Sequence, residues 1–334
     1  MVLEGIAAID RSPLRLRELP DPRPGPGEVR LRVRCCAICR TDLHVIEGDL
    51  PRQRLPIIPG HQIVGEVDAV GEGVRGIGTG SRLGVAWLRH TCAACPYCAN
   101  GDENLCESGR FTGYHEHGGY AQQTIVPAGY AYEIPDAFGE IDAAPLLCAG
   151  IIGYRALTRS RAPAGGKLAL FGFGSSAHVV LQIALARSME VFVVSRGEGH
   201  RELARELGAA WVGGDATDMP GKVDSAIIFA PAGSLVPPAL ETLRKGGTLA
   251  LAGITMSSIP MLEYERHLFH ERNLCSVTAS TREDGRRLLE EAARIPVRPH
   301  TVVYPFEEAN RALQDLKEGR IRGTGVLEIG DERR

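Results

Sequence analysis

The chain of 334 residues contains no apolar run approaching the ~20 residues needed to cross a membrane. Its first residues, MVLEGIAAIDRSP, hold no apolar core of secretion-signal length. Neither sign of charge dominates: 38 Lys and Arg stand against 41 Asp and Glu, a formal net charge of −3. That balance leaves no electrostatic footprint for nucleic acid or an anionic membrane, and neither is expected as a partner. No internal repeat or low-complexity tract interrupts the chain. These absences point to a soluble protein of the reducing cytoplasm, where thiols stay unpaired. Hydrophobic content of 44% and charged content of 24% are ordinary for a globular chain, and at this length two domains are expected.

What the chain does have is cysteine in metal-binding spacing. Cys92, Cys95, Cys98 and Cys106 read C-x2-C-x2-C-x7-C, among the loop-forming residues His90, Pro96, Asn100 and Gly101. Soft thiolates at this spacing suit zinc or an iron–sulfur cluster. Disulfides would need an oxidising compartment, and a redox C-x-x-C would use only two of the four. Metal is therefore expected, and four thiolates close a tetrahedral zinc site with no room for substrate. Cys39, His61 and Cys148 form the complementary set. Two thiolates and one imidazole leave a fourth zinc position open. Both patterns together lead us to expect two zinc ions per subunit, one structural and one catalytic. Cys35, Cys36 and Cys275 lie in apolar, strand-like runs and read as small buried hydrophobes.

The chain changes character along its length. Up to about residue 150 it is rich in Gly, Pro and short strand-like runs, such as Glu28–Arg34 and Ile63–Val70, which predict an antiparallel β domain. From about 153 to 287, the apolar runs Lys167–Phe173, Val191–Val194, Ala226–Phe229 and Thr248–Ala252 alternate with helical stretches. Continuous apolar strands between helices predict a parallel sheet covered on both faces. Near the end, Glu307–Lys317 reads as an amphipathic helix, with Phe306, Ala309, Leu313 and Leu316 near one face, and Val326–Ile329 reads as a closing strand. The segment after Leu274 (275–280) should be the last strand of the parallel sheet. Paired about a two-fold axis, such edges would give a homodimer or homotetramer.

The nucleotide signal lies in the middle region. A buried-strand run, Leu168–Phe171, leads into Gly172-Phe173-Gly174-Ser175-Ser176-Ala177 and then a helix predicted to run through Met189. This G-x-G-x-x-A pattern is a permitted form of the dinucleotide fingerprint. Gly172 serves the tight turn, Gly174 admits a pyrophosphate, and Ala177 allows close helix–strand packing. The helix start, at Ser175, offers free N–H groups to phosphate. The next strand ends Val193-Val194-Ser195-Arg196, where an NAD site usually places Asp or Glu on the ribose hydroxyls. A hydroxyl and a guanidinium fit a 2′-phosphate better, so NADP is expected over NAD. Competing accounts make Arg196 a solvated turn residue, or let Glu198 fold back as the missing carboxylate.

At this point the chain resembles a family. Gly60-His61-Gln62-Ile63-Val64-Gly65, continuing to Gly71 and Val74, is similar to the zinc alcohol dehydrogenase pattern G-H-E-x2-G-x5-G-x2-V. Cys39-Arg40-Thr41-Asp42-Leu43-His44, the four-cysteine lobe, Leu146-Leu147-Cys148-Ala149-Gly150 and the late nucleotide domain follow in the family's order. The resemblance to medium-chain zinc-dependent alcohol dehydrogenases covers essentially the whole chain. It implies an α/β protein: a GroES-like, β-rich catalytic domain (residues 1–152 and 288–334) and a Rossmann doubly wound parallel sheet (153–287). It implies reversible hydride transfer between a primary or secondary alcohol and NAD(P), giving an aldehyde or ketone. Cys39, His61 and Cys148 match the catalytic zinc ligands. Thr41 matches the hydroxyl that takes the alcohol proton, and His44 the histidine that relays it to solvent. Asp42 matches the carboxylate that orients His61, and Arg40 a residue facing the pyrophosphate.

Three departures stand out. Gln62 replaces the usual Glu after the ligand histidine and removes a negative charge near the metal. Thr324 occupies a position often held by a pyrophosphate-binding Arg, with Arg322 two residues earlier as a substitute. Leu50 stands at a substrate-pocket position that is Trp in small-alcohol relatives, while Trp87 is retained, which implies a larger or branched substrate. The alternatives are an NADPH-dependent aldehyde reductase on the same fold, a zinc-free quinone or enone reductase, and a non-enzymatic zinc-binding relative. Two zinc ions per subunit would single out the dehydrogenase.

Overall fold

The computed structural model describes residues 1–51, 54–295 and 297–330. In chain order its main elements are β1 (Glu28–Ala37), α1 (Arg40–Glu47), β2 (Gln62–Val70), β3 (Arg82–Val85), β4 (Gln123–Pro127), β5 (Ala131–Glu133) and α2 (Ala149–Arg159). There follow β6 (Lys167–Phe171), α3 (Ser175–Ala186), β7 (Glu190–Val194), α4 (Glu198–Glu206), β8 (Trp211–Gly213), β9 (Val223–Ile228), β10 (Leu243–Leu251) and β11 (Asn273–Ser276). The chain closes with α5 (Arg282–Arg294), β12 (Thr301–Pro305), α6 (Ala309–Lys317) and β13 (Thr324–Glu328). Among the described residues no single helix is long and apolar enough to cross a membrane.

Two compact units result. The first comprises Met1–Cys148, Ser280–Ala293 and the segment from Pro299 onward, and the second comprises Ala149–Ala279 with Arg294–Arg298. The divisions fall at 148/149 and 279/280 rather than at 152/153 and 287/288. Packing explains both shifts. Helix α2 lies against α3, where a Cβ on Gly153 would come 2.7 Å from Val180. Helix α5 stays with the first unit, where Gly285 admits the Tyr132 ring at a distance that forbids a side chain.

The first unit is built on a seven-stranded sheet in the order β12-β13-β1-β2-β3-β5, with β4 also paired to β1. Its pairings are antiparallel except β12–β13, which is parallel. Strand β1 alternates as its sequence predicts. Val29, Leu31 and Val33 point into the core, while Arg30 and Arg34 pair with Asp68 and Glu66 on β2. β1 runs on through Ala37, which brings the chain directly to Cys39.

The second unit is a six-stranded parallel sheet in the order β8-β7-β6-β9-β10-β11. Its strand order is that of the doubly wound dinucleotide fold. Leu168–Phe171 are all fully buried, as a central strand covered on both faces requires. β11 is an edge strand, as its place in the chain predicts, but ends at Ser276 rather than at 280. Two helix limits differ as well. α3 stops at Ala186, short of Met189, and Phe306–Glu308 form a 3-10 turn before α6. The expected apolar face of α6 is present: Ala309 and Leu313 are buried, with Phe306 and Leu316 packed at its margin.

Candidate active site

The four-cysteine lobe is a short loop with one turn of helix at Pro96–Ala99 and a 3-10 turn at Glu103–Leu105. Its four sulfurs converge within 4.8 Å of one another, and all four cysteines are free thiols. Cys92 and Cys106 are 3.5 Å apart, Cys95 and Cys98 3.5 Å, and Cys92 and Cys98 4.0 Å. Tetrahedral zinc with bonds of about 2.3 Å requires sulfur–sulfur edges of about 3.8 Å, so the set fits. Backbone N–H groups of Ala94 and Cys95, with the Cys106 thiol, pull Cys92 down to about 6. The lobe has an anchor that its spacing does not reveal. Arg282, first residue of α5, donates to both carboxylate oxygens of Glu103 at 2.6–3.0 Å and lies over the Tyr130 ring. The Tyr130 hydroxyl in turn accepts the backbone N–H of Thr91 beside Cys92.

Cys39, His61 and Cys148 come from three different elements of the first unit. Cys39 is the N-cap of α1, where its backbone N–H donates to Asp42 Oδ2 at 2.8 Å. His61 leads into β2, and Cys148 ends the 3-10 turn Ala144–Leu147. Their ligand atoms also converge within 4.8 Å. His61 is fully buried, and its Nδ1 faces Asp42 Oδ1 at 3.0 Å. Its Nε2 is buried with no hydrogen-bond partner. A buried nitrogen left facing two sulfurs is what a metal ligand requires.

The electrostatics agree. A bond from the Cys148 thiol, helped by His61, holds Cys39 well below the usual thiol range against the effect of burial. The same bond, with burial, pushes Cys148 well above it. Burial opposes a charged His61, but the Asp42 carboxylate and Cys39 outweigh it and raise His61 to about 10. Metal binding at such a set takes the thiols as thiolates and the imidazole as neutral, so it releases protons.

Other predicted residues gather here. Thr41 Oγ1 lies 3.6 Å from Cys39 Sγ. His44 is half-buried further along α1, its Nδ1 2.7 Å from Asp49 Oδ2, a partner the sequence did not single out. Trp87 meets His61 edge-on at 5.0 Å and stacks on Phe111 and Tyr114. Leu50 is half-buried at the margin of the same core, and Gln62 is buried at the start of β2. Arg40 is exposed in the first turn of α1. Arg322 lies in the turn before β13, its carbonyl 3.0 Å from a ring nitrogen of His300. Thr324 is buried.

The nucleotide residues gather in the second unit. Gly172 follows β6 with φ of +86°, and a Cβ there would meet Ala230 at 3.0 Å. Gly174 caps α3 with open space where a side chain would stand, Ser175 opens the helix, and Ala177 is fully buried. Ser195 is buried at the end of β7, and Arg196 is exposed beside it. Arg201, which the sequence did not single out, donates to the carbonyls of both at 3.1 Å. Glu198 is held by Arg201 and Arg205, which keep its carboxyl below the usual range.

A dinucleotide-type sheet joined in one chain to two thiolate-rich metal sets defines a metal-dependent dehydrogenase. Residues 25–136 match the alcohol dehydrogenase GroES-like domain, and residues 177–294 match the zinc-binding dehydrogenase family. A probable alcohol dehydrogenase, AdhA, of Mycobacterium tuberculosis (strain CDC 1551 / Oshkosh) is 50% identical over 326 residues, 96% of this chain and 94% of that one. Among solved structures, a cinnamyl alcohol dehydrogenase of Sorghum bicolor superposes with a TM-score of 0.86 at 27% identity, covering 93% of this chain and 92% of that one. A cobalt- and zinc-bound thermostable alcohol dehydrogenase of Pyrobaculum aerophilum gives 0.87 at 26% identity, covering 98% of each. The chain belongs to the zinc-dependent medium-chain alcohol dehydrogenase family. It is an oxidoreductase that interconverts an alcohol and its aldehyde or ketone with NAD(P).

Proposed function

We propose that this dehydrogenase holds two zinc ions per chain, prefers NADP(H), and acts on larger or branched alcohols. The observation that carries the catalytic site is the unpartnered, buried Nε2 of His61 facing the sulfurs of Cys39 and Cys148. Zinc in that set supplies a Lewis acid for the alcohol or carbonyl oxygen, and the nicotinamide exchanges the hydride. The chain's own residues do the rest. Asp42 fixes the His61 tautomer so that Nε2 points at the metal position. Thr41, beside Cys39, takes the alcohol proton on Oγ1. His44 passes it to solvent; with Nδ1 held by Asp49, Nε2 is the exchanging nitrogen. Cys92, Cys95, Cys98 and Cys106 hold the structural zinc.

For the cofactor, the glycine turn and the start of α3 receive the pyrophosphate. Ser195 and Arg196 receive the 2′-phosphate. Glu198 is engaged by two arginines, which counts against its serving as a ribose carboxylate. Leu50 in place of a larger residue favours bulky substrates. The enzyme works in the cytoplasm as a homodimer or homotetramer joined through β11. A panel of alcohols and aldehydes of graded size, run with NAD(H) and NADP(H) in parallel, tests cofactor, direction and substrate size together. Higher catalytic efficiency with NAD, or a preference for ethanol over branched or aromatic alcohols, would refute the corresponding part.

A further inference from the structure

Asp42 is buried, 1% exposed, and three donors converge on its carboxylate. Oδ1 faces His61 Nδ1 at 3.0 Å. Oδ2 accepts the backbone N–H of Cys39 at 2.8 Å and the phenolic O–H of Tyr120 at 3.0 Å. The first two contacts come from His61 and from the start of α1, and the third comes from Tyr120, 78 positions further along the chain. We propose that Tyr120 is a positioning residue of the catalytic zinc site, its hydroxyl fixing Asp42 so that His61 presents Nε2 to the metal. This rests on reading Cys39, His61 and Cys148 as the zinc set.

Three observations carry it. The phenolic O–H of Tyr120 is the donor and the Asp42 carboxylate oxygen the acceptor, so the direction of the bond is set. Tyr120 is fully buried and its ring is pinned: a Cβ on Gly60 would lie 2.4 Å from it. Gly60 has φ of +93° and immediately precedes His61, so the same ring also seats the backbone of the ligand. The orientation of His61 therefore rests on Asp42, and Asp42 on its three donors.

Tyr120→Phe deletes the hydroxyl and keeps the ring. Partners in this outer layer typically change metal affinity by about 10- to 100-fold. In the zinc-loaded full chain, Y120F should release one zinc to a chelator about 10- to 100-fold faster than wild type, with the second zinc and the melting temperature unchanged. The four-cysteine zinc is the internal control, because a general loosening would speed both. The visible spectrum of the cobalt-substituted protein should shift on the same substitution. Asp42→Asn should also speed release, and adding Y120F to it should have no further effect, because Tyr120 acts through Asp42. Wild-type release from Y120F, equal acceleration of both zincs, or additive effects of the pair would overturn the proposal. Cys148→Ala separates the two readings: if it binds as much zinc as wild type, the zinc set itself is misread.

Discussion

His61 must be neutral to bind a metal, yet alone in its site it is strongly basic, because a carboxylate and a thiolate face it in a dry interior. The resolution is that a metal displaces protons from the set rather than adding to them. Removing one thiol breaks that exchange. Cys148→Ala is expected to leave the chain folded, cost one zinc by elemental analysis, and abolish alcohol oxidation. Activity surviving in a variant with a single zinc would refute the site. At the nucleotide end, Ser195→Asp puts a carboxylate where the 2′-phosphate is expected. NADP efficiency should fall by about 30- to 150-fold relative to NAD, equivalent to about 2–3 kcal/mol. An unchanged cofactor ratio in steady-state kinetics would remove Ser195 from specificity. At this scale the sequence pointed to the ligands and to Asp42 behind His61, but not to the residues that hold Asp42 or the end of β7. Cys39, His61 and Cys148 sit in local patterns. Tyr120 reaches Asp42 across 78 positions, and Arg201 reaches two carbonyls that carry no side-chain signal.

The four-cysteine lobe shows how an element with almost no core is kept in place. Four of its residues give sulfur to the metal position, and Glu103 ties it to α5 through Arg282. Burial alone would favour the neutral acid, but the Arg282 bonds outweigh it and hold Glu103 below the usual carboxylate value. For a depressed carboxyl, the stabilisation is complete above the unfolded value near 4.5 and is lost as the pH falls through the folded one. Glu103→Gln should lower the melting temperature at pH 7 by about 2–4 °C, for an ion pair worth about 1 kcal/mol. That difference should shrink as the pH is lowered below 4.5 in scanning calorimetry. A difference that persists in acid would mean the amide disturbs packing rather than charge. The strands were legible because their burial follows the sequence pattern, alternating along β1 and continuous along β6. Helix α5 was not singled out in the sequence, and the expected domain boundary at 287/288 cut through it. Its charged, amphipathic run fits either unit, and only Arg282 on Glu103 and Gly285 on Tyr132 assign it.

At the scale of the whole molecule, β11 bonds to β10 on one side and offers its other edge. The segment leading into it exposes Met261 at 90%, Tyr264 at 64% and Phe269 at 57%, more apolar surface than a lone chain keeps without use. Sedimentation equilibrium at micromolar concentration should show a dimer or tetramer, and a monomer would refute assembly through this edge. The sheet of the first unit carries a different consequence, in time rather than in space. Cys35–Ala37 of β1 pair with Val326–Glu328 of β13, which is translated far later. At roughly 5–20 residues per second, that partner arrives tens of seconds after β1 leaves the ribosome. The whole second unit is translated in the interval and can fold first. Cys39, His61 and Cys148 are also translated before β13, so a nascent chain can capture its metal while the sheet that will shelter it is still open at one side.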